Sequence, residues 1–446
     1  MERAARWIYT LLWWLALPLL PLRLRWRARR EPGYRAHIGE RFGRYADAPP
    51  ARDGGRLVWI HAVSVGETRA IAPLVERLRA CSPPPSILLT HMTATGREAG
   101  RALFGDAVTQ AWLPYDIPFA VHHFLVRFRP DAGLLVETEL WPNLAAAAAR
   151  EGVPLYLVNA RLSERSARGY ARIGALSRPL LSSLAGVAAQ ADADAARLRA
   201  LGAREVTVTG NLKFDVPVPA AMRERGRELR TAIGDDRPVF VVASTRDGEE
   251  TLVLDALSRR DALLPARTLV VIVPRHPQRF DAVAALLRER SIPFARRSDR
   301  MPVPRDARVL LGDSMGEMFA YYAAADVAFV GGSLLPLGGQ NLIEPIAAGT
   351  PTLIGPHTFN FAQASDAAVA AGAARRMHDA GELFTVAGEL LADADSRRRM
   401  RANAAAFLAS HRGAVDRLWT WLAPRIGVGV GTGAAGTTAG NGGRTG

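Results

Sequence analysis

LVWIHAVSVGET, residues 57–68, opens on a run in which His61 is the only strongly polar side chain. Short apolar runs rich in β-branched and aromatic residues read as strands buried on both faces of a sheet. Ser64 then stands three residues before Glu67, the spacing with which a capping serine and a glutamate close a helix start on each other. A strand that runs straight into a helix is the repeating unit of a parallel α/β sheet.

The same alternation continues outward. SILLTHMT (86–93), AGLLVETEL (132–140), PLYLVNA (154–160), GVAAQ (186–190) and VTVTGN (206–211) read as further strands, with amphipathic stretches such as TRAIAPLVERLRA (68–80) and NLAAAAAREG (143–152) between them. VPVPAAM (216–222) breaks the pattern. It restarts in PVFVVAS (238–244), TLVVIVP (268–274), ARVLLGD (307–313), DVAFVGG (326–332) and TPTLIGP (350–356). The expectation is two doubly wound domains, 31–217 and 218–426. Residues 427–446 are Gly-rich, almost without charge or large side chains, and are expected to form a disordered tail. A length of 446 residues suits this division, since domains run to about 100–200 residues. Doubly wound sheets bind ligands beyond the carboxyl ends of their strands, and the crevice between two such domains is the expected active site.

The first thirty residues stand apart. WIYTLLWWLALPLLPL (7–22) is free of charge and is followed by Arg23, Arg25, Arg27, Arg29 and Arg30. The Pro21-Leu22 ending and the basic cluster argue against a cleaved signal peptide. Residues 1–30 are therefore read as a membrane anchor with a basic flank. It either spans the bilayer or inserts into one leaflet with its tryptophans at headgroup depth. Both readings leave the remainder on the cytoplasmic side.

The formal net charge of +14 points to an anionic partner: nucleic acid, an acidic lipid surface or a phosphorylated substrate. The basic residues are arginines with one exception, Lys213. Either an Arg-favouring composition left one lysine by chance, or its site needs a compact point charge. Cys81 is the single cysteine, so no internal disulfide forms. CxxC, HExxH and GxxxxGK[ST] are absent, and GxGxxG occurs only inside the Gly-rich tail (431–436), away from any strand-to-helix turn, which argues against a zinc site, a P-loop kinase and a standard dinucleotide enzyme. His61, His122, His123 and His276 lack ligand spacing. No metal and no cofactor is expected.

The residues that follow each strand have two readings apiece. Glu67 is a helix-capping residue or a general base in the crevice, and Gly66 beside it would let a substrate approach the backbone. Glu137 and Glu139 fall on one face by alternation; they form ion pairs with arginine or serve the reaction. Lys213 closes the first domain, where it is a surface residue or a partner for phosphate. In the second domain Ser244–Glu250, Pro274–Pro277, Asp313–Glu317 and Asn341–Pro345 occupy corresponding places, the last after the Gly-rich GGSLLPLGGQ (331–340), an arrangement suited to an anion. Glu317 and Glu344 have capping readings as well.

Taken together, HAVSVGE (61–67), ETELWPN (137–143), NARLSERS (159–166), GNLKFD (210–215), VPRHPQRF (273–280), SMGEM (314–318), NLIEP (341–345) and GPHTFNF (355–361) resemble the Kdo transferases of lipid A assembly, Kdo being 3-deoxy-D-manno-octulosonic acid. The resemblance implies a GT-B fold, two Rossmann-like domains facing across a cleft, on the cytoplasmic side of the inner membrane. It implies inverting, metal-independent transfer of Kdo from CMP-Kdo to a lipid A precursor, lipid IVA. By the same resemblance Glu67 is the base, Glu137 and Lys213 stabilise the transition state, and Pro274, Arg275, Met315, Gly316, Glu317, Asn341, Leu342, Ile343 and Glu344 hold CMP. One departure stands out: the family pattern leads one to expect His-Glu where Arg246-Asp247 stand. Another GT-B donor, such as a UDP-sugar, is the nearest competing reading. A tethered nucleic-acid-binding protein is the other, and it fits poorly with charge spread along the chain and no RNA-type aromatic motif.

Overall fold

Leu57, Val58, Trp59 and Ile60 are all fully buried. Burial at every position, not at alternate ones, means that both faces of the strand are covered. The computed structural model describes residues 2–429 except 30, 48, 51, 53, 54, 261, 262, 300 and 301. Most of the expected tail, residues 430–446, therefore lies outside the described residues.

The first sheet contains Leu57–His61 (β1), Ser86–His91 (β2), Thr109–Trp112 (β3), Ala132–Val136 (β4), Leu155–Ala160 (β5), Gly186–Ala189 (β6) and Val206–Val208 (β7). All are parallel, in the order β3-β2-β1-β4-β5-β6-β7. Trp59 lies level with Leu88 and Gly133. A Cβ on Gly133 would sit 2.6 Å from Leu155 and 2.7 Å from Trp59, so only glycine fits beneath the indole. The second sheet contains Val239–Thr245 (β8), Leu269–Pro274 (β9), Phe294–Arg296 (β10), Val309–Leu311 (β11), Val327–Val330 (β12), Thr352–Ile354 (β13) and Ala374–Arg376 (β14). It is parallel in the order β10-β11-β9-β8-β12-β13-β14. Each sheet begins in its middle and winds first to one side, then to the other. The switch points lie between β1 and β4 and between β8 and β12.

β3, β10 and β14 do not appear among the strands expected from the sequence. All three are edge strands, and half-exposed or exposed positions such as Thr109, Gln110 and Arg375 interrupt their apolar character. The run 132–140 was expected to be one strand; β4 stops at Val136. Glu137 turns away with φ +64°, so alternation does not place it on one face with Glu139.

The N-terminal segment forms two helices, Glu2–Ala16 and Leu20–Ala28, joined by a 3₁₀ turn, Leu17–Leu19. Pro18 and Pro21 fall in the first turns of the pieces they enter, where a missing N–H costs nothing. The continuous stretch Glu2–Ala28 is long and apolar enough to cross a membrane. Yet one side of it is docked. Leu20, Leu24 and Ala28 are buried against Tyr34, Tyr115, Ile117 and Ala120, and the ring of Trp13 lies 5.7 Å from that of Tyr115. Thr10 donates to Asn143 Oδ1 at 3.1 Å in a buried bond. Asn143 N and Leu144 N donate in turn to Asp116, with a further bond from Tyr9. Trp7, Ile8, Leu11, Leu15, Leu19, Leu22 and Trp26 remain exposed on this segment.

By its contacts the chain divides into a unit of Met1–Val216 with everything from Gly413, and a unit of Pro217–Arg412. The expected limit of the second domain at residue 426 is thus displaced. The helix Ala414–Ile426 belongs to the first unit, where Val415, Leu418, Trp419 and Leu422 cover Val58, Ile60, Leu134 and Tyr156. Without it that face of the sheet would lie bare, and each large apolar side chain there contributes about 1.5–3 kcal/mol by burial. Asp215 fixes its start, accepting from Gly413 N at 2.8 Å and Val415 N at 2.7 Å. Asp215→Ala strips both amides of their acceptor and is expected to lower stability by about 1–2 kcal/mol. Urea unfolding measures this, and an unchanged midpoint would show that the cap contributes nothing.

Candidate active site

In the first unit the switch point brings together the ends of β1 and β4. Ser64 follows β1 and caps the helix Val65–Ala70, accepting from Glu67 N at 3.4 Å. Glu67 answers with both oxygens: Oε1 accepts from Ser64 Oγ at 2.8 Å and Oε2 from Val63 N at 2.7 Å. The capping reading of Glu67 therefore holds structurally. It also does more. Burial pushes its carboxyl up to about 7, and the charges of Glu137 and Glu139 add to the rise. A capping carboxylate on an open surface would gain no such shift.

Glu137 sits at the first position beyond β4, in the left-handed region. A non-glycine residue there stores about 1–3 kcal/mol of strain and persists only where its surroundings hold it. Here Lys213 Nζ donates to Glu137 Oε1 at 2.6 Å, in a pair whose side chains are only 14% and 19% exposed. The lone lysine is accordingly not a surface residue. It rides on the turn Leu212–Asp215, held by Asn211 Oδ1 to Lys213 N at 3.0 Å. Glu139 lies nearby, bonded by Trp141 Nε1 at 3.0 Å, and burial raises its carboxyl above the usual range.

Asn159 went unnoticed as a site residue in the sequence. It is fully buried at the end of β5 with φ +51°, and its Oδ1 accepts from Leu212 N at 3.0 Å, anchoring the turn that presents Lys213. The available signal was a polar residue ending the apolar run PLYLVNA. His61 and His91 are buried and held neutral, burial lowering them to about 3 and about 4. His61 bonds Thr90, and His91 bonds Ala62 O, so both belong to the sheet. His37, Glu40 and Asp47 place three ligand-type atoms within 4.8 Å, but Glu40 is already committed to Arg97 and Trp112 N.

In the second unit the expected nucleotide residues all follow strand ends. Pro274 closes β9, and Arg275 comes next, its amide on Thr245 O and its Nε 3.3 Å from Gln340 Oε1. Met315 is 56% exposed beside Gly316, whose φ of +80° suits glycine. Glu317 accepts from Ser314 Oγ at 2.7 Å and pairs with Arg225 and Arg297. The helix after it begins at Met318, not at Ser314. Asn341 Oδ1 accepts from Ile343 N, and its Nδ2 donates to Glu344 at the start of a five-residue helix, Ile343–Ala347. Leu342 and Ile343 are buried to 1% and 2%, so they can offer a ligand only their backbone. The loop 244–250 organises this edge. Ser244 has φ +55°, and the ladder with β9 shifts register just there. Glu249, fully buried, receives Arg246 N, Gly332 N and Leu334 N and so ties the end of β8 to the Gly-rich loop. Glu250 receives Thr245 Oγ1 and Arg279, and Asp247 pairs with Arg279 at 2.9 Å.

Two seven-stranded parallel sheets in this order make the GT-B fold. Among solved structures, a glycosyltransferase from Rickettsia africae covers 83% of the chain and 98% of its own length at TM-score 0.58 and 12% identity. The UDP-GlcNAc 2-epimerase of Neisseria meningitidis covers 82% and 100% at TM-score 0.56 and 14% identity. These likenesses concern the fold. Sequence narrows the class further. The model of the 3-deoxy-D-manno-octulosonic-acid transferase (kdotransferase) family matches residues 36–216. The 3-deoxy-D-manno-octulosonic acid transferase of Bordetella pertussis is 48% identical over 94% of this chain and 99% of its own. That of Haemophilus influenzae is 37% identical over the same shares, 94% and 99%. The chain belongs to the Kdo transferase family.

The raised Glu67 carboxyl has a stability sign. The folded protein holds this proton more tightly than the unfolded chain, so its contribution falls as pH rises from 4.5 to about 7. Glu137→Gln removes a like charge and is expected to lower the Glu67 pKa, which carboxyl ¹³C NMR titration reads directly. An unmoved titration would mean that burial alone sets it.

Proposed function

We propose that this chain is an inverting, metal-independent transferase that moves Kdo from CMP-Kdo to a lipid A precursor, lipid IVA, at the cytoplasmic face of the inner membrane. The observation that carries the mechanism is the Glu67 carboxyl, held near neutrality beside the Glu137–Lys213 pair. A general base works best with a pKa close to the working pH, and positioned bases are typically worth about 10²–10⁴-fold. Glu67 takes the proton of the acceptor hydroxyl, whose oxygen attacks the anomeric carbon of Kdo from the face opposite the nucleotide. The bond to the phosphate oxygen breaks and CMP leaves. Glu137 faces the positive charge that develops on the sugar. Lys213 holds Glu137 in place through their 2.6 Å bond. Pro274, Arg275, the segment Met315–Glu317 and the segment Asn341–Glu344 hold CMP. Arg275 offsets the charge of the departing phosphate, a task that a metal performs in other transferases.

The membrane side of the proposal rests on the first helices. Their exposed tryptophans and leucines lie opposite a docked face, and Arg23, Arg25 and Arg29 are exposed beside them. This pattern suits a helix lying in one leaflet, its arginines on anionic lipid, better than one detached from the domain to span the bilayer.

Glu67→Ala is expected to abolish transfer while CMP binding, measured by isothermal titration, persists. Lys213→Arg keeps the charge but is expected to cut turnover at least about tenfold, because the fork does not reproduce a 2.6 Å point contact. In the wild type, kcat/KM is expected to rise with pH through about 7 and then level off; a profile flat from pH 5 to 9 would remove Glu67 as the base. Mass spectrometry of the product from CMP-Kdo and lipid IVA tests the substrates, and binding of UDP but not CMP would favour a different donor. Trp7→Glu combined with Leu11→Glu and Leu15→Glu alters only exposed positions. The triple variant is expected to leave anionic liposomes in a flotation assay; retention would place the attachment elsewhere.

A further inference from the structure

Arg246-Asp247 lies at the switch point of the second sheet, between the ends of β8 and β12. Among the described residues, the carboxylates that follow Arg246 in the chain are engaged by groups other than its side chain. Asp247 pairs with Arg279. Glu249 is filled by three backbone amides, one of them Arg246's own. Glu250 holds Thr245 and Arg279, and Glu344 accepts from Asn341. The half-buried Arg246 guanidinium has no acceptor among the described residues.

Its surroundings raise the positive potential further. The Arg246 side chain lies over Gly332, where a Cβ would come 3.6 Å from its Cγ and 3.1 Å from Gln340 Nε2. Gln340 Oε1 in turn accepts from Arg275 Nε. Arg246 and Arg275 thus flank the glycine turn that follows β12, with His276 next in sequence. His276 is exposed, yet its pKa is lowered, by desolvation first and then by the charges of Arg246 and Arg275. Gathering Arg246, Arg275 and His276 at the carboxyl ends of the neighbouring strands β8 and β9 is unfavourable until an anion joins them. Gly332 has φ +68° and no side chain, so no Cβ stands between Arg246 and Gln340.

We propose that Arg246 binds an oxyanion of the donor, either the phosphate of the nucleotide or the carboxylate of the acidic sugar. The planar fork of arginine meets either group with two parallel hydrogen bonds. The inference rests on the donor reading given above. It adds a ligand-binding residue that the resemblance does not supply.

The test uses the full-length chain with wild type, Arg246→Ala and Arg246→Lys. CMP binding is measured by isothermal titration, and KM for CMP-Kdo by steady-state turnover. A rise of about tenfold to a hundredfold in the Kd of CMP for Arg246→Ala marks the phosphate as the bound group. An unchanged CMP Kd with the same rise in KM for CMP-Kdo marks the sugar carboxylate. Arg246→Lys is expected to fall between the two in whichever quantity moves. If neither quantity moves in Arg246→Ala, the inference is overturned. If the wild type itself fails to bind CMP, the donor reading falls, and the inference with it. The thermal midpoint of Arg246→Ala should match the wild type, since the guanidinium holds no protein acceptor.

Discussion

Among the described residues, fourteen strands that all run parallel within their sheets set the terms for the rest of this molecule. A parallel strand cannot return by a tight hairpin, so each is followed by a crossover, and both faces of the sheet must be covered. That requirement explains the uninterrupted burial of Leu57–Ile60 and the glycine beneath Trp59. It also explains why a helix from the far end of the chain, Ala414–Ile426, returns to complete the first unit. Once the interior is committed to apolar packing, chemistry is left to the strand ends. Chain order then singles out two of them in each unit, where the winding reverses. Glu67 and Glu137 occupy one such place, Arg246 and Gly332 the other.

At these places the backbone is held in conformations that side chains disfavour. Glu137, Asn159 and Ser244 all have positive φ at or just beyond the ends of parallel strands. Each is over-determined by neighbours: Glu137 by Lys213, Asn159 by Leu212 N and Gln190, and the loop after Ser244 by the buried Glu249. The two units use different devices. The first surrounds a carboxyl with other carboxyls and one lysine, which keeps a proton close to exchange at neutral pH. The second uses engaged carboxylates, Glu249 and Glu250, as staples between loops.

Much of this was legible in the sequence. Continuous apolar runs disclosed the central strands, and the residues that end such runs include Glu67, Glu137, Lys213 and Arg275, the first three of which the structure gathers in one place. The rarity of lysine in an arginine-rich chain made Lys213 conspicuous before its partner was known. What escaped notice has physical reasons. β3, β10 and β14 are edges and lack an unbroken apolar signature. Asn159 acts through one side-chain bond to a residue 53 positions away, which no local pattern reveals. Leu342 and Ile343 sit inside a motif that looks wholly functional, yet their side chains are core. The membership of Ala414–Ile426 in the first unit depends on which apolar face lies bare, and spacing alone does not show that.

The buried tie between Tyr9, Thr10, Asp116 and Asn143 has a thermodynamic consequence. Asn143 and Leu144 begin the helix that follows the turn carrying Glu137 and Glu139, and Asp116 caps that helix while also meeting the N-terminal segment. Under the attachment proposed here, a bilayer that prefers the docked form of Glu2–Ala28 acts as a ligand of the folded first unit and stabilises it by mass action. The gain is delivered to the neighbourhood of one strained turn. The rigidity of that turn is then a joint property of the polypeptide and the lipid beneath it.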